Sequence, residues 1–192
     1  RGRAEVILSQ GERVDGSNLF RGMVESSLSD LYVVPDYKSA FLNPFDDHSL
    51  NFICRYFTKD GERARFAPDS ILHNACSLLK KNTGLELFAL GELEFYLIFA
   101  KEETLFPLES QRGYHESSPF VKSGRILQEI LRHITQLTSA VKYAHSEVGH
   151  IEKLESDLEE VNGKQAEQLE VEFLPRPVEE MADALVVARW LI

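Results

Sequence analysis

Apolar and polar positions fall into stretches of two distinct periods along the chain. The clearest three- and four-residue recurrence runs through SGRILQEILRHITQLTSAVKYA (123–144). Ile126, Leu127, Ile130, Leu131, Ile134, Leu137 and Val141 share one face there, which predicts a long amphipathic helix. APDSILHNACSLLKKNTG (67–84) reads as another helix, with Ile71, Leu72, Ala75, Cys76, Leu78 and Leu79 as its stripe, Asp69 as its cap and Gly84 as its stop. A short acidic helix is expected over IEKLESDLEEVNG (151–163), on the stripe Ile151, Leu154, Leu158 and Val161 with Gly163 past its end, and 178–192 is helical again. Residues 85–100 read as a strand, and EQLEVEF (167–173) alternates as one. Between 101 and 122 lies a loop rich in Glu, Ser, Pro and Gly.

Residues 1–58 mix a short helical start (AEVILSQG) with the strand-like DLYVVPD and SLNFICRYF, punctuated by VDGSN and LNPFDD. TKDGE (58–62) is a turn of the Asp-Gly type that links two strands. The expected class is α+β, with a small unit ahead of a larger one and no internal repeat.

At 192 residues and 43% hydrophobic, the chain can bury a core as one large domain or two small ones. A net charge of −10 argues against a nucleic-acid surface, which needs clustered Lys and Arg, and suits a cation-dependent site as well as plain solubility. No apolar run reaches the ~20 residues of a membrane span, and no signal peptide is visible. Cys54 and Cys76 lie in apolar patterns without CxxC spacing, so they read as reduced core residues of a cytoplasmic protein. The chain opens on RGRAEV and closes on VVARWLI in mid-pattern, so both ends read as cut from a longer protein.

The chemistry is carried by carboxylates. In FALGELEFYLIFA (88–100), Glu92 and Glu94 interrupt an apolar run. On a strand they share a face while Leu93 and Phe95 take the other, with Cβ atoms about 7 Å apart. Two charges at that distance repel by roughly 2 kcal/mol at an effective dielectric near 20. Desolvation beside Phe and Leu adds to this, and a cation relieves both. Oxygen-rich ligands favour Mg²⁺ or Mn²⁺ over Zn²⁺. An ordinary solvent-facing strand face is the commoner reading of such a pair taken alone. Glu147, in AHSEVGH, and Glu170, opposite in face to Leu169, Val171 and Phe173, add two more carboxylates. His145 and His150 flank Glu147 at a spacing that matches no zinc motif.

Taken in order, VDGSN (14–18), SDLYVVPD (29–36), FLNPF (41–45), GELEF (91–95), HSEV (145–148), EQLEVEF (167–173) and the Ala182-Asp183 pair resemble the glutamine synthetase family across nearly the whole chain. The resemblance implies a β-grasp-like domain over 1–60 and the first part of an antiparallel-sheet catalytic domain, backed by helices, over 61–192. It implies ring-shaped homo-oligomers with active sites shared between subunits, acting on glutamate, ammonia and ATP. The implied reaction phosphorylates the glutamate side chain and displaces the phosphate with ammonia, giving glutamine. Divalent cations, Mg²⁺ or Mn²⁺, neutralise the phosphates. Carried over by position, Glu94, Glu147 and Glu170 match one metal site and Glu92 a ligand of the second. Asp15 matches the aspartate a neighbouring subunit contributes to the ammonium site, and Asp30 a second acid of that region. Read alone, Asp15 also fits an Asx turn before Gly16.

Three departures bear on function. The short loop expected between Glu147 and Glu170 is replaced by VGHIEKLESDLEEVNGKQAEQL, and Glu172 repeats the Glu170 face. Lys142 stands where members often place an acid near the nucleotide, and a doubled histidine is reduced to His145-Ser146. The family's later histidine and glutamate ligands, substrate arginines and nucleotide segments lie beyond the chain. The amine is therefore open between ammonia, ethanolamine and a polyamine, and a non-catalytic relative is the alternative of another class.

Overall fold

A computed structural model describes residues 2–24 and 29–192. It divides into two compact units that meet in sequence between Leu87 and Phe88. Every strand pair among the described residues is antiparallel, and helices accompany the sheets in both units. No helix among them is long and apolar enough to cross a membrane.

The first unit runs through α1 (Gly2–Gln10), β1 (Glu12–Asp15), α2 (Gly16–Leu19), β2 (Asp30–Pro35), β3 (Phe41–Asn43), β4 (Asp46–Asn51), β5 (Cys54–Thr58) and α3 (Pro68–Thr83). Its strands form a sheet of order β1–β2–β5 and a separate β3–β4 hairpin. Leu31, Ala64 and Ala67 are its buried core, closed by Val14, Phe20, Tyr56 and Phe66. SLNFICRYF is not one strand. Ile53 donates its N–H to Ser39 Oγ at 2.8 Å and accepts from Asp36 N at 2.9 Å, so the backbone leaves the ladder between β4 and β5. The TKDGE turn forms, with Gly61 N donating to Thr58 O at 3.0 Å. Its return leg makes a single bridge, Phe57 to Arg63, rather than a second strand.

α3 starts and stops for local reasons. Pro68 opens it after Ala67, and no side chain caps it. Asp69, expected as the cap, sits inside the first turn, 3.5 Å from Arg63. Gly84 ends the helix at φ +74°, a conformation costly to residues with a Cβ. Cys54 and Cys76 are free thiols, half-buried rather than fully in the core.

The second unit contains β6 (Phe88–Phe99), α4 (Gly124–Leu137), β7 (Val141–Ile151), β8 (Gln165–Pro177) and α5 (Val178–Leu191). Its sheet has the order β6–β8–β7, with β8 in the centre. Leu169, Val171 and Phe173 of β8 pack beneath Leu127, Ile130 and Ile134 of α4 and Met181, Ala188 and Leu191 of α5.

Two expectations fail here. The long helix ends at Leu137: Thr138 turns extended (φ −144°, ψ 138°), its Oγ1 accepts Ala140 N at 3.1 Å, and Val141 joins β7. An apolar residue at the right step satisfied either period, and the local Thr138 turn decided. The acidic helix over 151–163 is absent. β7 runs on to Ile151, and the connection folds back on itself, with Leu154 N donating to Lys164 O at 2.7 Å and Gly163 N to Leu154 O at 2.8 Å. Leu158, assigned to a buried stripe, is 64% exposed. Cross-loop bonds continuing the hairpin satisfy the backbone groups that a helix would have paired within itself.

Candidate metal centre

Successive residues of a strand point to opposite faces, so with Leu169, Val171 and Phe173 of β8 packed under the helices, residues 168, 170 and 172 face away from them. Antiparallel register then decides what meets them. On β6, Glu92 lies opposite Glu172, Glu94 opposite Glu170, and Tyr96 opposite Gln168. On β7, Tyr143 lies opposite Glu172 and His145 opposite Glu170. Glu147 follows on the same strand, and its Oε1 is 3.2 Å from His145 Nε2. That nitrogen is also 3.3 Å from Glu170 Oε2. One sheet face thus gathers Glu92, Glu94, Glu147 and Glu170, all four glutamates expected as ligands.

The electrostatics of the cluster are unfavourable as they stand. Glu170 is 7% exposed. Burial raises its pKa, His145 opposes that, and Glu92, Glu94 and Glu147 add to the rise. Glu172 is settled differently. Lys142 Nζ is 2.6 Å away, and hydrogen bonds from Lys142 and then Tyr143 hold its pKa below the usual carboxylate range. The lysine that replaces an expected acid therefore serves Glu172 and leaves the other four carboxylates with His145 among them. A divalent cation fits this donor set, which is hard carboxylate oxygen with one imidazole nitrogen at its edge. Ligand atoms of His145, Glu170 and Glu172 lie within 4.8 Å of one another, a spacing one ion spans.

Glu167 shows what a carboxylate with protein donors looks like. It is 2% exposed, on the helix-packed side of β8, and accepts Lys122 N at 3.0 Å, Ser123 N at 2.9 Å and Ser123 Oγ at 2.6 Å. It closes the N-terminus of α4, where amide N–H groups lack partners within the helix.

Sequence reasoning missed several residues around the centre. The loop after β6 returns to the site: His115 N donates to Ser146 O at 2.9 Å, and Ser146 Oγ reaches Gly113 O at 2.6 Å and Glu116 O at 2.8 Å. Ser146, in place of a second histidine, pins this loop to β7. His115, at φ +56°, stacks on His145 with ring centroids 4.2 Å apart, and Tyr114 meets the same ring edge-on at 5.4 Å. The alternation of EQLEVEF, which put Glu172 on the Glu170 face, could have placed Gln168 there as well. Reading 141–144 as helix hid the corresponding alternation of Tyr143, His145 and Glu147.

Asp15 and Asp30 belong to the first unit, where they are cross-strand partners on β1 and β2. Like charges set opposite each other are costly, and both have local relief. Asp15 accepts Ser17 N at 2.9 Å, Ser17 Oγ at 2.6 Å and Asn18 Nδ2 at 2.7 Å, bonds that lower its pKa, the Ser17 hydroxyl foremost. Asp30 pairs with Arg13 at 3.1 Å. The Asx turn read as an alternative for Asp15 is present, as the cap of α2.

No protein-family model matches the chain, and no curated protein matches it in sequence. Solved structures do. The glutamine synthetase of Plasmodium falciparum superposes with a TM-score of 0.72 over 96% of this chain at 19% identity. The chain has the glutamine synthetase fold. GmaS without ligand superposes with a TM-score of 0.72 over 98% of the chain at 11% identity, and a GmaS/ADP complex with 0.68 over 99% at 11%. The chain spans 39%, 41% and 40% of those three structures, so it corresponds to about two fifths of a glutamine synthetase-fold polypeptide.

Proposed function

We propose that this chain is part of an ATP-dependent ligase that joins ammonia to the side-chain carboxylate of glutamate through a γ-glutamyl phosphate, giving glutamine. The observation that carries the reading is the gathering of Glu92, Glu94, Glu147 and Glu170 on one sheet face, with Glu94 opposite Glu170 and His145 between Glu147 and Glu170. With four carboxylates sharing one imidazole, this face carries net negative charge and suits a positive ligand. Glu94, Glu147 and Glu170 would hold one Mg²⁺ or Mn²⁺, and Glu92 would contribute to a second. Bound there, the cations supply charge neutralisation for a phosphoryl group in transfer. The β6–β8 register sets Glu94 against Glu170, and Lys142 pairs with Glu172, which would have to leave that pair to join His145 and Glu170 on an ion.

The same reading takes 1–60 as a β-grasp-like domain and 61–192 as the first part of the catalytic domain. Asp15 and Asp30 would serve the amine site of a neighbouring subunit in a ring-shaped homo-oligomer, in the cytoplasm. A second amine has its own support. GmaS (glutamylmethylamide synthetase) shares the fold over nearly the whole chain, and Lys142 stands where family members often place an acid near the nucleotide.

The test follows phosphate release from ATP with glutamate and Mg²⁺, in the longest natural form of the protein carrying these residues. Ammonia, methylamine, ethanolamine and a polyamine are added in turn. Release that rises only with ammonia supports glutamine synthesis. Release with another amine alone keeps the mechanism and changes the substrate. Silence with every amine, in folded protein, overturns the ligase reading in favour of a non-catalytic relative.

A further inference from the structure

We propose that Gln168 is a positioning residue that holds the Glu94 carboxylate in register for a divalent cation, itself held by the main chain at Gly149. The inference rests on the cation reading of this sheet face.

Both ends of the Gln168 amide are committed. Its Nε2 donates to Glu94 Oε2 at 2.6 Å, and its Oε1 accepts Gly149 N–H at 3.1 Å. A backbone N–H only donates, so the amide oxygen must face β7 and the amide nitrogen must face Glu94. The Tyr96 hydroxyl, opposite Gln168 on β6, donates to the same oxygen at 3.4 Å. Three strands therefore contribute to one orientation.

Gly149 makes the arrangement possible. The β7–β8 ladder shifts register between Ser146 and His150, so the Gly149 N–H is released from strand pairing to reach a side chain. A Cβ at this position would lie 2.3 Å from Tyr96 Oη and 2.4 Å from Gln168 Oε1. Any side chain there would displace the atoms that orient Gln168.

The choice of an amide matters for the site. Among the described residues no Lys, Arg or His forms an ion pair with Glu94. An amide donor fixes one carboxylate oxygen without neutralising its charge, so Glu94 Oε1 keeps its full attraction for a cation. Outer partners of this kind orient ligands, and their loss typically costs 10- to 100-fold in metal affinity.

The experiment is a double-mutant cycle on Mn²⁺ affinity of the 192-residue chain, read by titration calorimetry and by the electron paramagnetic resonance of free Mn²⁺. Gln168→Ala is expected to weaken Mn²⁺ about tenfold, while the melting temperature in EDTA stays at the wild-type value. Gln168→Met keeps the size, removes the donor and should weaken Mn²⁺ to a similar extent. Because Gln168 acts through Glu94, the Gln168→Ala/Glu94→Gln double variant should bind no more weakly than Glu94→Gln alone. Unchanged affinity in Gln168→Ala, or fully additive losses, overturns the positioning role and leaves the cation site standing. Folded wild-type chain that binds no Mn²⁺ overturns the cation reading and this role with it.

Discussion

The two faces of the β6–β8–β7 sheet are made by the same central strand, residue by alternate residue, and they are treated oppositely. Leu169, Val171 and Phe173 are at most 1% exposed beneath α4 and α5. Burying each such side chain is worth roughly 1.5–3 kcal/mol. Gln168, Glu170 and Glu172 face a field of carboxylates, where each neighbouring charge costs on the order of 2 kcal/mol. The apolar face supplies the rigidity that lets the acidic face persist. Glu167 sharpens the contrast, since it is a carboxylate on the packed side that folding satisfies with three donors. Glu170 is nearly as buried and meets three other glutamates with His145 as its one opposing partner. Same residue type, same strand, opposite solution: that difference is what points to a cation.

Breaking the apolar face should have the largest effect. Phe173→Ala is expected to cost about 3–5 kcal/mol in denaturant unfolding. A loss under about 1 kcal/mol would mean that this face is not the core. Next comes the exception on that face. Glu167→Ala strands the Lys122 and Ser123 N–H groups and should cost about 2–3 kcal/mol, whereas Glu94→Ala, on the acidic side, should move cation-free stability by less than about 0.5 kcal/mol. Equal losses in the two variants would erase the distinction between the faces.

On the acidic face the effect should appear in ligand binding. Glu94→Gln is expected to weaken Mn²⁺ on the order of a hundredfold at unchanged cation-free stability, measured by titration calorimetry. Unaltered binding would remove Glu94 from the ligand set.

The smallest effect concerns protons. Glu170 holds its proton more tightly in the folded chain than in the unfolded one. Between those two pKa values the native state binds more protons, so stability falls as pH rises through that window and stays lower above it. Glu170→Gln has no proton to lose. Without cation it should melt above wild type at neutral pH, with the gap closing at about pH 3.5. A variant that melts lower at neutral pH would show that the His145 contact outweighs the repulsion.

Much of this was legible locally. EQLEVEF announces its two faces by alternation, and GELEF places Glu92 and Glu94 together. Gly84 marks a helix end that the chain obeys. The failures have a common cause. Val141 fits the helical step of Ile134 and Leu137, yet it pairs with Phe173, a residue 32 positions away in sequence. The stripe from Ile151 to Val161 fits a helix too, but hairpin closure offers those backbone groups partners that periodicity alone cannot show.

The amino-acid sequence by itself therefore determined the α+β class and the two faces of β8, because a period of two or of 3.6 is written in neighbouring residues. The four glutamates were singled out by the resemblance of ordered motifs, not by period. Tertiary structure alone decided that Glu94 stands against Glu170, that His145 comes between Glu170 and Glu147, that Lys142 neutralises Glu172, and that Gly149 orients Gln168. Strand register and the bulge in β7 are properties of paired chains, and a shift of one residue would have turned every one of these side chains to the other face.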